Sequence, residues 1–322
     1  YNHVWLLGSY NFLQNLKGRM IFDSTSYVHT TENRNMPFKG TEATICDAQG
    51  NFLMSTNGIW IANANNDTML NGSGLNPNGV TSNWVYGLPM TANSMFLPFP
   101  GDSTKYALFH HTATFDGYSY PANELYVSYI DLQLDGGLGG VTSKNSIIIS
   151  DTLNWGITAC KHANGRDWWI AMSKHNTDSI LLCLFTSQGV NFHSWQKLNM
   201  PKAWYTSSQL AFSKDGSQFY YPLFDSATVN SFVAIANFDR CSGLFTNCIV
   251  QQITTNSLLW GLSCSNTNDL LYTCSSNSVY QINTTTFTVD TVATYDGFIS
   301  PPGQTCCATS FWNMYLAANG KI

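Results

Sequence analysis

The chain has 322 residues, of which 44% are hydrophobic, 14% aromatic and 10% charged, and its formal net charge at pH 7 is −5. Binding of nucleic-acid phosphates needs clustered Lys and Arg, and the sequence has no such cluster, so nucleic acid is not an expected partner. No apolar run approaches the roughly 18 residues of a membrane-spanning helix, so membrane insertion is not expected either. The many Ser, Thr, Asn, Gly and aromatic residues favour sheets and turns over helices.

Six segments have the pattern of a strand, a tight turn and a second strand. In chain order their turns lie at or near Gly50, Ser103, Gly165, Gly216, Asn268 and Gly320. Asp-Gly and Asn-Gly pairs favour such turns, because glycine adopts the positive φ that they require. Successive turns are 53, 62, 51, 52 and 52 residues apart. A repeat of about 50 residues with several strands has the size of one β-propeller blade.

The sequence therefore predicts an all-β fold, a β-propeller with six blades. A third strand follows each hairpin, as in residues 179–185 and 232–238, and no segment has a persuasive helical period. We expect the N-terminal strands "HVWLLG" and "RMIFDS" to complete the blade that the C-terminal hairpin begins. That pairing would close the ring of a single domain over residues 1–322 and leave no open edge. The blade count becomes seven if the natural chain continues past Ile322.

Several motifs resemble those of one known family. In chain order they are "ATICDAQGNFLMSTNGIWIAN", "YIDLQLDGGLGGVTSKN", "KHANGRDWWI", "FSKDGSQFYY", "FDRCSGLFTN" and "AANGKI". The chain resembles the secreted β-propeller region of large Bacteroidetes cell-surface proteins. Members often carry PKD-like modules and end in a type IX secretion sorting domain or a gliding-motility-associated C-terminal domain. The resemblance implies export to the outer cell surface by the type IX secretion machinery, as the N-terminal part of a larger protein.

The sequence contains no recognised catalytic motif. A glycosidase needs two facing carboxylates, yet the chain has only three Glu, and no Gly-x-Ser-x-Gly motif occurs. Neighbouring strand residues point to opposite faces, so His110 and His111 are not expected to share a metal, and no cofactor is predicted. We therefore predict a non-enzymatic binding or scaffolding module that adheres to surface glycans or proteins. The alternative is a polysaccharide-acting enzyme, a hydrolase or lyase, on a propeller scaffold.

Aromatic residues in loops are the candidate ligand-binding surface, because exposed rings stack on sugars and on apolar peptide groups. The candidates are Trp84, Tyr86, Tyr118, Tyr120, Trp204 and Tyr205. For each of them the alternative is packing beneath its own loop.

Nine cysteines in an exported chain suggest disulfides. Cys241 and Cys248 flank a short loop, and Cys264 and Cys274 flank the turn near Asp269. These are the two candidate bridges. The alternative is that the cysteines are small buried apolar residues.

Seven Asp residues are each followed by Ser or Thr and then by Ala, Ile, Leu, Met, Thr or Val. The pattern resembles the Bacteroidetes O-glycosylation motif, in which the middle hydroxyl is modified. The candidates are Ser24, Thr68, Ser103, Thr152, Ser179, Ser226 and Thr291. The alternative is ordinary turn formation, because these side chains bond to nearby backbone. A glycan is bulky, so only exposed turns are expected to carry one.

Overall fold

The computed structural model describes residues 3–8, 16–114, 120–202, 209–299 and 310–322. These residues are almost entirely β-strand and turn, with one short helix, α1 (Gly79–Asn83), and one 3-10 turn at Asp135–Gly137. Asn78 caps α1, because its side chain accepts a hydrogen bond from the Thr81 N–H. No helix within these ranges has the length and apolar character needed to cross a membrane.

The strands pair antiparallel with their neighbours in sequence. The first sheet consists of β1 (Val4–Leu6), β2 (Leu16–Phe22) and β3 (Tyr27–Asn33). The second is an eight-stranded sheet made of two four-stranded meanders. The first meander consists of β4 (Ala43–Cys46), β5 (Phe52–Thr56), β6 (Trp60–Ala62) and β7 (Thr68–Ser73). The other consists of β8 (Ser94–Pro98), β9 (Lys105–His110), β10 (Ala122–Asp131) and β11 (Gly140–Leu153).

Three further sheets each contain four consecutive strands. The first of them consists of β12 (Thr158–Lys161), β13 (Trp168–Ser173), β14 (Ser179–Thr186) and β15 (Gly189–Lys197). The next consists of β16 (Ala211–Phe212), β17 (Gln218–Asp225), β18 (Asn230–Asp239) and β19 (Leu244–Thr255). The last consists of β20 (Leu262–Cys264), β21 (Leu270–Cys274), β22 (Ser278–Asn283) and β23 (Val289–Thr294).

Five of the six predicted hairpins join the first two strands of a meander, which confirms that part of the prediction. The turn at Gly216 illustrates the local chemistry. Asp215 Oδ1 accepts from the Ser217 N–H at 3.0 Å, and Gly216 has a φ of 73°. The sixth turn also forms, with the Ala317 N–H donating to the Lys321 carbonyl at 2.8 Å, but residues 310–322 contain no assigned strand.

The two meanders of the eight-stranded sheet meet through their outer strands, where separate blades were expected. Gly140 of β11 pairs with Leu70 of β7, and this is a parallel pair. Asn145 strengthens the junction, because its Nδ2 donates to the Gly74 carbonyl at 2.8 Å and its Oδ1 accepts from the Asn76 N–H at 3.2 Å. The two meanders therefore form one continuous sheet.

The core is divided into clusters that each lie between successive sheets or meanders. Trp169, Phe219 and Phe238 lie between the third and fourth sheets, for example, and all three are at most 4% exposed. Equivalent clusters separate every other successive pair from β1–β3 to β20–β23. Face-to-face packing of radially arranged sheets is typical of propellers, so the fold is all-β and propeller-like.

Residues 310–322 lie between the last and first sheets. The Trp312 ring stacks on Trp260 of the last sheet, with ring centroids 4.2 Å apart. On the other side, the Tyr315 ring contacts Trp5 of β1 with centroids 6.1 Å apart. The C-terminal segment therefore bridges the two ends of the series of sheets.

Both predicted disulfides are absent, since Cys241, Cys248, Cys264 and Cys274 are free thiols. The strand register explains this result. Cys264 pairs with Leu271 in the β20–β21 hairpin, three residues before Cys274. In the β18–β19 hairpin the last pair is Asp239 with Leu244, so Cys241 lies in the turn and Cys248 is further along β19. Cys264 and Cys274 are 5% and 0% exposed, as expected for small apolar core residues.

Candidate functional site in the axial channel

A channel with a volume of about 600 Å³ lies where the first strands of the sheets converge. β4, β8, β12, β16 and β20 contribute to its wall, and residues 313–316 of the C-terminal segment complete the wall. Small-molecule sites usually have volumes of about 300–1,000 Å³, so the channel has a suitable size.

The polar side chains of the channel are mostly uncharged. They include Thr44, Ser94, Thr158, Gln209, Ser263 and Asn313. Glu42 is the one acidic side chain among the described lining residues, and Lys214 is the one basic side chain. Hydroxyl and amide groups of this kind recognise ligands through hydrogen bonds without requiring a ligand charge.

Glu42 directly precedes β4, and the residues before it are firmly held. The Gly40 and Thr41 N–H groups both donate to the Leu88 carbonyl, at 3.1 and 2.8 Å. The Thr41 hydroxyl lies 2.7 Å from Asn93 Oδ1, which connects the start of β4 to the start of β8. A Cβ on Gly40 would lie only 2.1 Å from the Pro89 carbonyl oxygen, so this close approach requires glycine. The backbone therefore fixes where Glu42 enters the channel.

The Glu42 carboxyl is a proton donor at neutral pH. Burial raises the pKa of Glu42 to about 8, and the positive charge of Arg34 offsets this only in part. The side chain keeps partial exposure, because it lines the channel. A carboxylic acid with a pKa near the working pH can both donate a hydrogen bond and transfer a proton.

Tyr315 brings a second proton-bearing group into the channel. Its pKa is raised, chiefly because protein surrounds the phenol and secondly because Glu42 lies nearby. Asn313 Nδ2 donates to the Tyr315 hydroxyl at 3.3 Å. The phenol therefore stays neutral and its O–H remains available as a hydrogen-bond donor beside the Glu42 acid.

Ser94 lines the channel, but its hydroxyl oxygen is buried. It is the first residue of β8 and only 9% exposed, and its Oγ has no hydrogen-bond partner among the described residues. Leaving such a group unsatisfied costs about 1–3 kcal/mol. Ala92, which also lines the channel, has a φ of 53°, a strained value for a residue with a Cβ.

A second constellation resembles a catalytic triad but is fully buried. His110 Nε2 lies 2.9 Å from Ser128 Oγ, and His110 Nδ1 lies 2.7 Å from Asn76 Oδ1. All three side chains are 0% exposed, and they line neither of the two cavities described for this molecule. Burial lowers the pKa of His110 to about 3, so the ring stays neutral. Without access for a substrate, these residues hold the β7–β11 junction together.

The aromatic residues predicted as a ligand surface do not line the channel where the structure describes them. Trp84 is half-buried, with the Lys39 ammonium 4.1 Å from the centre of its ring. Tyr86 and Tyr120 are 50% and 48% exposed at the surface. Three further candidates fall outside the described residues: Tyr118, Trp204 and Tyr205. The sequence analysis missed Ser94, Gln209 and Tyr315, because no local motif distinguishes them. For Glu42 the only signal in the sequence was the small number of glutamates.

The candidate glycosylation sites are mostly exposed. Ser24, Ser103 and Ser226 lie in exposed turns. The others lie within strands, where Thr68, Thr152 and Thr291 are exposed and Ser179 is half-buried. Modification stays a prediction, and the three turn residues best meet its requirement for an exposed turn.

No family model matches the chain, and no curated protein matches it. Solved structures do resemble it. A functionally unknown protein from Desulfotomaculum acetoxidans is 11% identical, with a TM-score of 0.55. The match covers 87% of this chain and 79% of that protein. A protein from Lactobacillus plantarum is 12% identical, covers 91% and 82%, and has a TM-score of 0.51. The Pseudomonas aeruginosa periplasmic gluconolactonase is 12% identical, covers 93% and 86%, and has a TM-score of 0.47. Such low identities show the fold alone.

The sequence-based prediction that the protein is not an enzyme is not upheld, because the channel holds a carboxyl group whose pKa burial raises to about 8, as in many active sites. Proteins named as gluconolactonase and 6-phosphogluconolactonase are among the structural neighbours. The prediction rested on the lack of a recognised motif. A propeller gathers side chains from distant parts of the chain at its axis, so a missing local motif does not exclude catalysis.

Proposed function

We propose that the protein is a carbohydrate-acting hydrolase with Glu42 as its general acid. This corresponds to the polysaccharide-acting alternative and replaces the non-catalytic binding module. One observation carries the proposal: a carboxyl group whose pKa is raised to about 8 lines a channel of about 600 Å³. Perturbed acids in a cleft of this size are characteristic of active sites.

The lining supports a neutral, polyhydroxylated substrate. Thr158 and Asn313 offer hydroxyl and amide groups, and the protonated Glu42 adds a further donor without adding charge. The channel is bounded by the inner strands and by residues 313–316, so it would accept a small sugar derivative or the end of a glycan chain.

In the proposed reaction Glu42 protonates the leaving oxygen as its bond to the sugar carbon breaks. The resulting Glu42 carboxylate is stabilised by the positive charge of Arg34. Water adds its hydroxyl to the sugar carbon, and its remaining proton returns to Glu42. Glu42 is the one carboxyl among the described lining residues, so a mechanism with two facing carboxylates has no support here.

We also propose that the sheets form a six-bladed ring and that the protein is exported. Residues 313–317 would serve as the inner strand of a sixth blade completed by β1, β2 and β3, which the Trp5–Tyr315 contact supports. A hydrogen bond from Asn319 Nδ2 to the Ser26 carbonyl at 3.2 Å supports the same arrangement. Location at the outer cell surface and export by type IX secretion are supported by the family resemblance of the motifs.

The proposal is tested by assaying purified protein on D-gluconolactone, aryl glycosides and oligosaccharides. Glu42→Gln should lower kcat/KM on the order of 100-fold, because the proton donor is lost. Glu124→Gln changes a glutamate outside the channel and should leave the rate unchanged. Wild-type activity should fall as pH rises through about 8, where Glu42 loses its proton. Full activity in Glu42→Gln, or no turnover of any substrate in the panel, contradicts the proposal.

A further inference from the structure

A second cavity, with a volume of about 660 Å³, adjoins the axial channel. It lies between the β20–β23 sheet and the C-terminal segment. Its wall includes Tyr272, Val279, Val292, Phe311, Trp312 and Ile322. Four residues line both cavities and form their common wall: Trp5, Asn313, Met314 and Tyr315.

The two cavities differ in chemistry. The channel lining combines hydroxyl and amide groups with apolar side chains, whereas the second cavity is lined chiefly by aliphatic and aromatic side chains. Two of these remain open to solvent, Val292 at 48% and Trp312 at 40% exposure. Covering apolar surface of this kind gains about 25 cal/mol per Å².

The aromatic part of this wall is held rigidly. Trp312 stacks on Trp260 at an interplanar angle of 13°, and Trp260 Nε1 donates to Ser276 Oγ at 3.0 Å. The Phe311 N–H donates to the Ser276 carbonyl at 3.1 Å. One face of the Trp312 ring is covered by Trp260, and the side chain as a whole keeps 40% exposure. A preformed apolar wall lowers the ordering cost of binding a ligand.

The two cavities meet at Tyr315, and Glu42 belongs to the wall of the channel. Tyr315 belongs to both walls, and Glu42 is close enough to Tyr315 to raise its pKa. A ligand that occupies both cavities would therefore place the bond between its two halves near Glu42.

We infer that the substrate is a sugar joined through oxygen to an apolar alkyl or aryl group. The sugar occupies the axial channel, and the apolar group occupies the second cavity. Cleavage breaks the bond from the sugar carbon to the linking oxygen, the Glu42 proton goes to that oxygen, and water supplies hydroxyl to the sugar and a proton to Glu42. The cleavage step rests on the proposed function, whereas binding of the apolar group does not.

The test compares octyl and methyl glycosides of D-glucose and D-galactose, each below its micelle concentration, by calorimetry and by turnover. The octyl compound of at least one pair should bind at least 10-fold more tightly than its methyl partner. Val292→Asp places a charge in the second cavity and should abolish this preference. Val28→Asp is the matched control, because Val28 is an exposed strand valine, 55% exposed, that lines neither cavity.

The outcomes separate this inference from the proposed function. Equal affinity for octyl and methyl glycosides in both pairs, or an unchanged preference in Val292→Asp, overturns the inference even if the sugars are hydrolysed. An octyl preference that Val292→Asp removes, without any hydrolysis, supports the apolar cavity and contradicts the proposed function.

Discussion

The side-chain amide of Gln209 pairs with both backbone groups of Met314. Its Nε2 donates to the Met314 carbonyl at 2.8 Å, and its Oε1 accepts from the Met314 N–H at 3.1 Å. A side chain thus replaces the neighbouring strand that the C-terminal segment lacks on this side. Because Tyr315 follows Met314, Gln209 also fixes the position of Tyr315 beside Glu42.

Gln209→Ala should lower the free energy of unfolding by about 2–3 kcal/mol, because it removes three hydrogen bonds and leaves the Met314 groups and the Leu262 N–H without this partner. Amide exchange at residues 310–322 should accelerate. Gln209→Glu keeps the acceptor and loses the donor, so it should give an intermediate exchange rate. Denaturant unfolding and hydrogen-exchange mass spectrometry measure both effects. Unchanged exchange in Gln209→Ala would show that other contacts hold the segment.

Glu42→Gln should stabilise the protein more at pH 8 than at pH 4.5. The folded-state pKa of about 8 lies above the unfolded value of 4.5. The stabilisation from the bound proton is therefore complete below pH 4.5 and is lost as pH rises towards 8. The gap between variant and wild type should widen by up to about 1.4 kcal/mol per pH unit. A constant gap in denaturant unfolding from pH 4.5 to 8 would exclude an elevated pKa, and Glu124→Gln is the control.

Acid should destabilise the protein through its buried histidines. Burial lowers the pKa of His110 to about 3 and that of His111 to about 4, from an ordinary value of 6.5. Below pH 6.5 the unfolded chain takes up protons that the folded protein cannot, so stability falls as pH decreases. His110→Gln should reduce this slope between pH 6.5 and 4.5, by up to about 1.4 kcal/mol per pH unit. His29→Gln, at an exposed site, should keep the wild-type slope.

Alanine substitutions at two glycines distinguish the stability cost of backbone strain from that of steric overlap. Gly165 has a φ of 73°, and no described atom lies within 4 Å of the position that a Cβ would take there. Gly243 has a φ of 72°, and a Cβ there would lie 2.6 Å from Trp169 Cη2. Gly165→Ala should therefore cost about 1 kcal/mol, from the left-handed backbone alone. Gly243→Ala should cost about 1–3 kcal/mol more, because the buried Trp169 ring cannot move aside freely. Equal losses of stability in thermal unfolding would rule out the overlap.

The hairpins were predictable because their signals are local. Asp215 and Gly216 determine a turn from their own side chain and backbone, and similar turns recur at regular spacing along the chain. The cysteine pairings failed because they depend on register. The register places Leu271, and not Cys274, opposite Cys264, and turn spacing alone does not determine that choice.

The site was not predictable for a different reason. Glu42, Ser94, Gln209 and Tyr315 are separated by dozens of residues, and only the arrangement of the sheets brings them into one channel. The elevated pKa of Glu42 comes from burial, which is a property of the folded protein. The small number of glutamates was visible in the sequence, but it favoured a non-enzymatic module and drew attention away from Glu42.

Strand length rises from the axis to the rim of the molecule. β16 and β20 have 2 and 3 residues, whereas the outer strands β11 and β19 have 14 and 12. An axial residue therefore touches several sheets, and an outer residue mainly touches its own. Paired substitutions near the axis, such as Glu42 with Gln209, should be strongly non-additive, whereas pairs on different outer strands should be additive. Sequence change can accordingly accumulate independently at the rim, while axial positions are constrained to change together.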